Sequence, residues 1–271
     1  MTQTRKSLPD ALARFDDLAR LFSERKPAFF LDYDGTLTPI VARPELAVLD
    51  KTMRATLSEL AGSFPVAVIS GRDRADVENL VGLDELVYVG SHGFDIAGPG
   101  GLKREHQGAA RFVPALDEAG KRLHAMLDGI DGVIIERKRY AIAVHYRMVA
   151  EVDIPAVEHA FDAVLRELGE LRRTAGKKVF ELRPRLDWDK GEAVLWLLAE
   201  LGLDRPDIVP VYIGDDETDE DAFVALDGRG IGILVADRPQ DTQAGYRLDS
   251  ADAVGLFLRR LIKVFGQALP Q

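Results

Sequence analysis

The chain contains no cysteine. That excludes a disulfide framework, a thiolate-bound zinc and a cysteine nucleophile. No apolar run approaches the roughly 18–20 residues that cross a bilayer. The opening MTQTRKSLPDALARF has a basic start with no apolar stretch behind it, so no signal peptide is read there. Basic residues are in the minority, 35 Lys and Arg against 45 Asp and Glu, for a net charge of −10. Nucleic acid or an anionic membrane as the main partner needs the opposite balance. Repeats of fixed period and low-complexity tracts are missing too. The expectation is a cytoplasmic monomer with neither a nucleic-acid nor a membrane partner. What is present is 46% apolar and 30% charged residues over 271 positions, ordinary for a folded chain of one large or two modest domains.

Short β-branched runs alternate with helical periodicity, which predicts an α/β protein with a parallel sheet. Leu8, Leu12, Phe15, Leu18 and Phe22 mark a first amphipathic helix, with Ser7 as its N-cap. Strands are predicted at Ala28–Tyr33, Val66–Ile69, Leu86–Gly90, Val209–Ile213 and Gly230–Val235, and helices at Thr52–Ala61, Asp73–Val81, Lys190–Leu201, Thr218–Leu226 and Ala253–Phe265. Asp189 and Glu192 form a capping-box-like pair ahead of the fourth. Strands this continuously apolar need helices on both faces, hence a Rossmann-like core. The middle reads differently: a helix over Arg111–Leu127, strands at Gly132–Arg137 and Tyr140–Arg147, a second helix carrying Val157, Phe161, Val164, Leu165 and Leu168, then extended pieces at Leu171–Thr174 and Lys178–Arg183. Helix–strand–strand, twice over, is an α+β layout. The expected division is a core of residues 1–107 and 186–271 with an inserted α+β cap at 108–185.

Four constellations carry chemistry. The first strand ends in Asp32-Tyr33-Asp34-Gly35-Thr36. Two carboxylates two apart share a side of an extended chain, and ligands gather beyond the carboxyl ends of parallel strands. An Asp-rich turn or a calcium loop would also use this pattern, although Leu37, Pro39 and Ile40 supply no oxygen ligands. The second is Gly214-Asp215-Asp216-Glu217-Thr218-Asp219-Glu220-Asp221, acidic at six of the seven positions from Asp215. Helix-start enrichment with Thr218 as N-cap accounts for Glu220 and Asp221. It leaves Asp215 and Asp216, ahead of the helix, repelling each other unless a cation is bound. Carboxylates without His or Cys suit magnesium better than zinc. The third is Ser70-Gly71-Arg72 after an apolar strand, able to hold phosphate oxygens or simply to turn the chain. The fourth is Lys190 at a helix start, where a cation runs against the dipole.

These pieces, in this order, resemble the haloacid dehalogenase superfamily of phosphotransferases. LDYDGTLTPI, ISGR, GSHG (Gly90–Gly93), GKKVFELRP (Gly176–Pro184), DKG (Asp189–Gly191) and GDDETDEDAF (Gly214–Phe223) narrow the resemblance to its trehalose-6-phosphate phosphatase family. The resemblance implies a Rossmann-like core with an inserted specificity cap, Mg²⁺ dependence, and a sugar-phosphate substrate, trehalose 6-phosphate, cleaved to trehalose and phosphate. It makes Asp32 the nucleophile and Asp34 the proton donor and acceptor. Magnesium falls to the Asp32 side chain, the Asp34 backbone carbonyl and Asp215, with Asp216 counted beside them and Asp219 as an outer partner. Ser70 and Lys190 hold the transferring phosphoryl oxygens, Gly71 and Arg72 line the same loop, and Thr36 supports it.

Strand alternation in the middle segment puts Glu136 with Lys138, His145 with Arg147, and Glu181 with Arg183. Mixed charges suit a hydroxyl-rich ligand, because carboxylates accept from sugar hydroxyls and Lys or Arg donate to them. The alternative is a solvated sheet face on which Arg147 and Arg183 pair with the carboxylates. His92 belongs either to the rim of the site or to an exposed loop. Competing readings are a sucrose-phosphate or mannosyl-phosphoglycerate phosphatase, a calcium-binding module, and a non-catalytic sugar-phosphate sensor, which would be expected to have lost Asp32 or Asp34, both present here.

Overall fold

The computed structural model describes residues 8–266, apart from the side chain of Ala175. In chain order the strands are β1 (Lys26–Asp32), β2 (Val66–Ile69), β3 (Val87–Gly90), β4 (Asp95–Ala97), β5 (Lys103–Glu105), β6 (Ile134–Lys138), β7 (Ala141–His145), β8 (Leu171–Gly176), β9 (Val179–Pro184), β10 (Ile208–Gly214), β11 (Ile231–Val235) and β12 (Tyr246–Leu248). The α-helices are α1 (Phe15–Glu24), α2 (Lys51–Ala61), α3 (Arg74–Val81), α4 (Val113–Leu127), α5 (Ile154–Glu167), α6 (Lys190–Glu200), α7 (Glu220–Ala225) and α8 (Ala251–Phe265). Two compact units result: Met1–Lys103 with Asp189–Gln271, and Arg104–Trp188. Among the described residues no helix is long and apolar enough to cross a membrane.

The first unit is built on an eight-stranded sheet in the order β12-β11-β10-β1-β2-β3-β4-β5. Strand β1 pairs in parallel with β10 on one side and β2 on the other. Chain order therefore runs outward in opposite directions from β1, which opens a crevice at the carboxyl ends of β1 and β10. Every residue of β10 is buried, as a strand covered on both faces requires. Phe29, Leu31, Val211 and Ile213 pack against α1, α2 and α8 through Phe15, Phe22, Leu57 and Phe257. Each such fully buried side chain contributes about 1.5–3 kcal/mol. Tyr212 alternates to the opposite face and meets Phe223 of α7 edge-on at 5.7 Å.

The fold class is the expected α/β one, with local differences. The first helix starts at Phe15 rather than near Leu8. The preceding stretch uses its backbone on the sheet edge instead: Arg247 N–H donates to Pro9 and Ala11 N–H donates to Arg247. The proposed cap Ser7 lies outside the described residues. The short strands β4, β5 and β12 carry no readable alternation over three residues each.

The second unit runs α4-β6-β7-α5-β8-β9, with its antiparallel sheet in the order β6-β7-β9-β8. Leu116, Leu123, Val157 and Phe161 of the helices bury Ile142, Val144, Phe180 and Leu182 on one sheet face. Strand β7 stops at His145, so Arg147 is not the strand partner of His145. The chain turns there, with Tyr146 N–H bonded to Lys178, and the exposed Arg147 guanidinium reaches the Lys177 carbonyl.

Candidate active site

Four carboxyl-terminal strand ends lie side by side: β10 delivers Asp215, β1 Asp32, β2 Ser70 and β3 His92. Asp32, Asp215, Asp219, Ser70 and Lys190 are all buried. Lys190, the first residue of α6, donates to Asp32 Oδ1 at 2.8 Å and to Asp219 Oδ1 at 2.7 Å. The helix start is capped by Asp189, whose side chain accepts from Glu192 N–H at 3.0 Å. The mismatch between Lys190 and the helix dipole is thus offset by two charge-assisted hydrogen bonds.

Asp219 is the organising acid. Besides Lys190 it accepts from the buried Tyr212 hydroxyl at 2.6 Å and from the backbone N–H groups of Asp215 and Asp216 at 2.9 Å each. The turn Glu217–Asp219 is a 3-10 turn, and its N-cap is Asp216, not Thr218. The Asp216 side chain accepts from Thr218 N–H at 3.1 Å, while Asp219 reciprocates to the Asp216 backbone. The sequence marks Asp219 only as an outer partner and offers no sign of Tyr212. The available signal was spacing, since a residue four after Asp215 on a tight turn reaches back to its N–H.

Asp32, Asp215 and Asp219 offer carboxylate oxygens within 4.8 Å of one another. Asp216 and the Asp34 side chain are not in that group. Burial pushes the Asp32 pKa well above the ordinary carboxylate range; Lys190 opposes this, and Asp219 and Asp215 add to it. Burial pushes Lys190 down, yet Asp219 and Asp32 outweigh it and hold the ammonium well above its usual value. Three carboxylates thus converge, two of them bonded to the one ammonium of Lys190. A cluster of oxygen donors without His or Cys fits a divalent hard cation. Asp32 Oδ2 is buried and has no hydrogen-bond partner among the described residues. Gly35 makes room for this arrangement: at φ +90° its missing Cβ would sit 2.0 Å from Asp215 Oδ2.

The remaining loops close around this centre. Ser70 Oγ accepts from Arg72 N–H at 3.1 Å, which leaves its own O–H to donate. Gly71 lies against the His92 ring; a Cβ on it would be 2.6 Å from Nε2. His92 is 6% exposed, so the exposed-loop alternative is wrong. Ser91 and His92 both have positive φ, a conformation costly for non-glycine residues. It is held by Ser91 N–H to Arg72 and His92 N–H to Ser70. The Thr36 hydroxyl is buried without a hydrogen-bond partner among the described residues. Arg72, expected on the phosphate side, uses its guanidinium on protein instead: on Asp34, Asp76 and the Pro44 carbonyl.

In the second unit, register puts Glu136, Ala143, Glu181 and Thr174 in one row across the sheet, and pairs Lys138 with Ala141 and Arg183 with Arg172 beside it. Lys138 pairs with Glu181 at 2.9 Å, and His145 with Glu136 at 2.8 Å. Arg183 is fully buried. The alanines form a low floor between charged walls. Arg172 and Thr174, on β8, extend this polar face beyond the expected pairs.

The family model for trehalose-phosphatase matches residues 30–252, spanning every loop just described. The chain belongs to the trehalose-phosphatase family. It is 43% identical to trehalose 6-phosphate phosphatase RA3 of Zea mays, over 97% of this chain and 77% of that protein. It is 40% identical to trehalose-phosphate phosphatase B of Arabidopsis thaliana, over 94% of this chain and 71% of that one. Among solved structures, the C-terminal domain of the C. albicans trehalose-6-phosphate phosphatase superposes with a TM-score of 0.82 at 25% identity, covering 96% of this chain and 99% of that chain. The trehalose-phosphatase match reaches across both compact units.

Proposed function

We propose that this chain is a magnesium-dependent phosphatase that hydrolyses trehalose 6-phosphate to trehalose and phosphate through an aspartyl-phosphate on Asp32. The observation that carries the reading is the state of Asp32: it stands at the end of the central strand, with Oδ1 held by Lys190 and a buried Oδ2 without a hydrogen-bond partner among the described residues. A carboxylate oxygen attacks phosphorus, an O–P bond forms, and the bond from phosphorus to the sugar oxygen breaks. Asp34 gives its proton to the departing sugar oxygen. It then takes a proton from water, which attacks phosphorus, releases phosphate and restores Asp32. Lys190 and the Ser70 hydroxyl steady the transferring oxygens.

Asp32 and Asp215, with the Asp34 backbone carbonyl, would hold magnesium. Both Asp219 oxygens are already committed, so Asp219 orients the Asp215 loop rather than binding metal. When bound, the ion neutralises the carboxylate excess and the charge on the phosphoryl group.

The polar face of the four-stranded sheet recognises the sugar, with Glu136, Lys138 and Glu181 as its contacts. Glu181→Gln is expected to raise KM for trehalose 6-phosphate about tenfold while changing 4-nitrophenyl phosphate turnover less than about threefold, because one charge-assisted sugar contact is lost. Equal losses on both substrates would remove the assignment.

The overall reading is tested by phosphate release from trehalose 6-phosphate, sucrose 6-phosphate, mannosyl-phosphoglycerate and glucose 6-phosphate, each with and without magnesium. Trehalose 6-phosphate leads the panel and turnover needs the ion. A preference for another member, or undiminished turnover in chelator, overturns the reading.

A further inference from the structure

We propose that Arg72 is a positioning residue that aims the Asp34 carboxylate for proton transfer, an inference that rests on the phosphatase reading above. Asp34 sits on the loop after β1 with its side chain 44% exposed, where a short acid would ordinarily sample several rotamers. Here both its oxygens are gripped by one guanidinium, Oδ2 by Nε at 2.8 Å and Oδ1 by Nη2 at 2.9 Å. A bidentate fork fixes the plane as well as the position of a carboxylate, which a point charge does not.

The fork is itself immobilised. Arg72 is 6% exposed. Its Nη1 donates to Asp76 at 3.0 Å and its Nη2 also to the Pro44 carbonyl at 2.6 Å. Its guanidinium lies 5.5 Å from the centre of the Tyr33 ring, and the Tyr33 hydroxyl is tied to Ala47 at 2.8 Å. The backbone of Arg72 bonds Ser70 Oγ through its N–H and Ser91 N–H through its carbonyl. One residue thus joins the loops after β1, β2 and β3. Each oxygen of the clamped carboxylate keeps a further lone pair for the reaction proton. With its guanidinium taken up by protein, Arg72 acts through Asp34 rather than on phosphate.

The test is a double-mutant cycle read on two substrates. Trehalose 6-phosphate expels an alkoxide-like oxygen that must be protonated, whereas 4-nitrophenyl phosphate expels a stable phenolate. Arg72→Met is expected to lower kcat for trehalose 6-phosphate about 10²-fold, within the range of general acid–base catalysis. The pre-steady-state burst of nitrophenolate should fall less than about tenfold, and inhibition by inorganic phosphate should shift less than about threefold. Arg72→Lys, which keeps the charge and guards against misfolding of the first variant, recovers only part of the loss. The pair Asp34→Ala with Arg72→Met should be no slower than Asp34→Ala alone. Parallel losses on both substrates, weakened phosphate inhibition, full rescue by Lys, or additive effects in the cycle each overturn the proposal. If the wild type prefers a different sugar phosphate, the cycle is run on that one, so the substrate reading and the clamp fail separately.

Discussion

Asp32→Asn is expected to abolish phosphate release, by at least about 10⁴-fold or roughly 5.5 kcal/mol of barrier, because an amide cannot become the phosphoryl carrier. The fold should survive and gain. In the metal-free protein the Asp32 pKa is raised, first by burial and then by Asp219 and Asp215 against the pull of Lys190. A group raised on folding contributes its full stability below its unfolded pKa of about 4 and loses it as pH climbs through the folded value. Wherever the buried carboxylate is ionised it therefore lowers stability, and a neutral isostere removes that cost. Calorimetry in chelator at about pH 7 should give the variant a Tm equal to or above the wild type. Added magnesium should raise the wild-type Tm more than the variant's. Activity retained within tenfold would remove Asp32 from the nucleophile role. A metal-free Tm well below the wild type would show that the pair with Lys190 outweighs the repulsion among the acids.

The parts legible in the sequence are those that local pattern dictates. Apolar runs such as Val66–Ile69 and Val209–Ile213 must be buried strands, and residues directly after them must lie at the ligand edge of a parallel sheet. That logic leads to Asp32, Ser70 and Asp215 one by one. What local pattern cannot express is a partner far along the chain. Lys190 lies 158 residues from Asp32. Arg72 lies 38 from Asp34. Reading Ser70-Gly71-Arg72 as one phosphate loop assigns the guanidinium to the ligand, because nothing nearby advertises Asp34, Asp76 and Pro44 as competitors. His92 stays undecided between site rim and exposed loop for the same reason: its burial follows from the contact with Gly71, where an absent side chain leaves space. Arg147 is a simpler failure of alternation, since period two holds only while the strand lasts, and β7 ends two residues earlier.

Were Asp219 only an acid at the start of a helix, it would contribute about 0.3–1 kcal/mol, and its removal would be mild. As the hub of the site, Asp219→Ala strips an acceptor from the buried Lys190, the Tyr212 hydroxyl and two N–H groups at once. The expected cost is about 3–5 kcal/mol, the range for breaking a buried charged pair. At roughly 2–4 °C per kcal/mol that is a Tm loss of about 10 °C. The pH dependence follows from Lys190, which burial pushes down but Asp219 and Asp32 hold well above its usual value. A raised lysine stabilises fully below its unfolded pKa of about 10.4 and loses that contribution as pH rises through the folded value. The Tm gap between wild type and variant should therefore stay level from about pH 6 to 9 and narrow only in strong alkali. Asp219→Asn preserves shape and should recover part of the Tm while activity stays low, because the loop bearing Asp215 is no longer drawn to a charged acceptor. A Tm change under about 2 °C for Asp219→Ala would return this residue to the ordinary helix-start role and leave Asp215 to be oriented by something else.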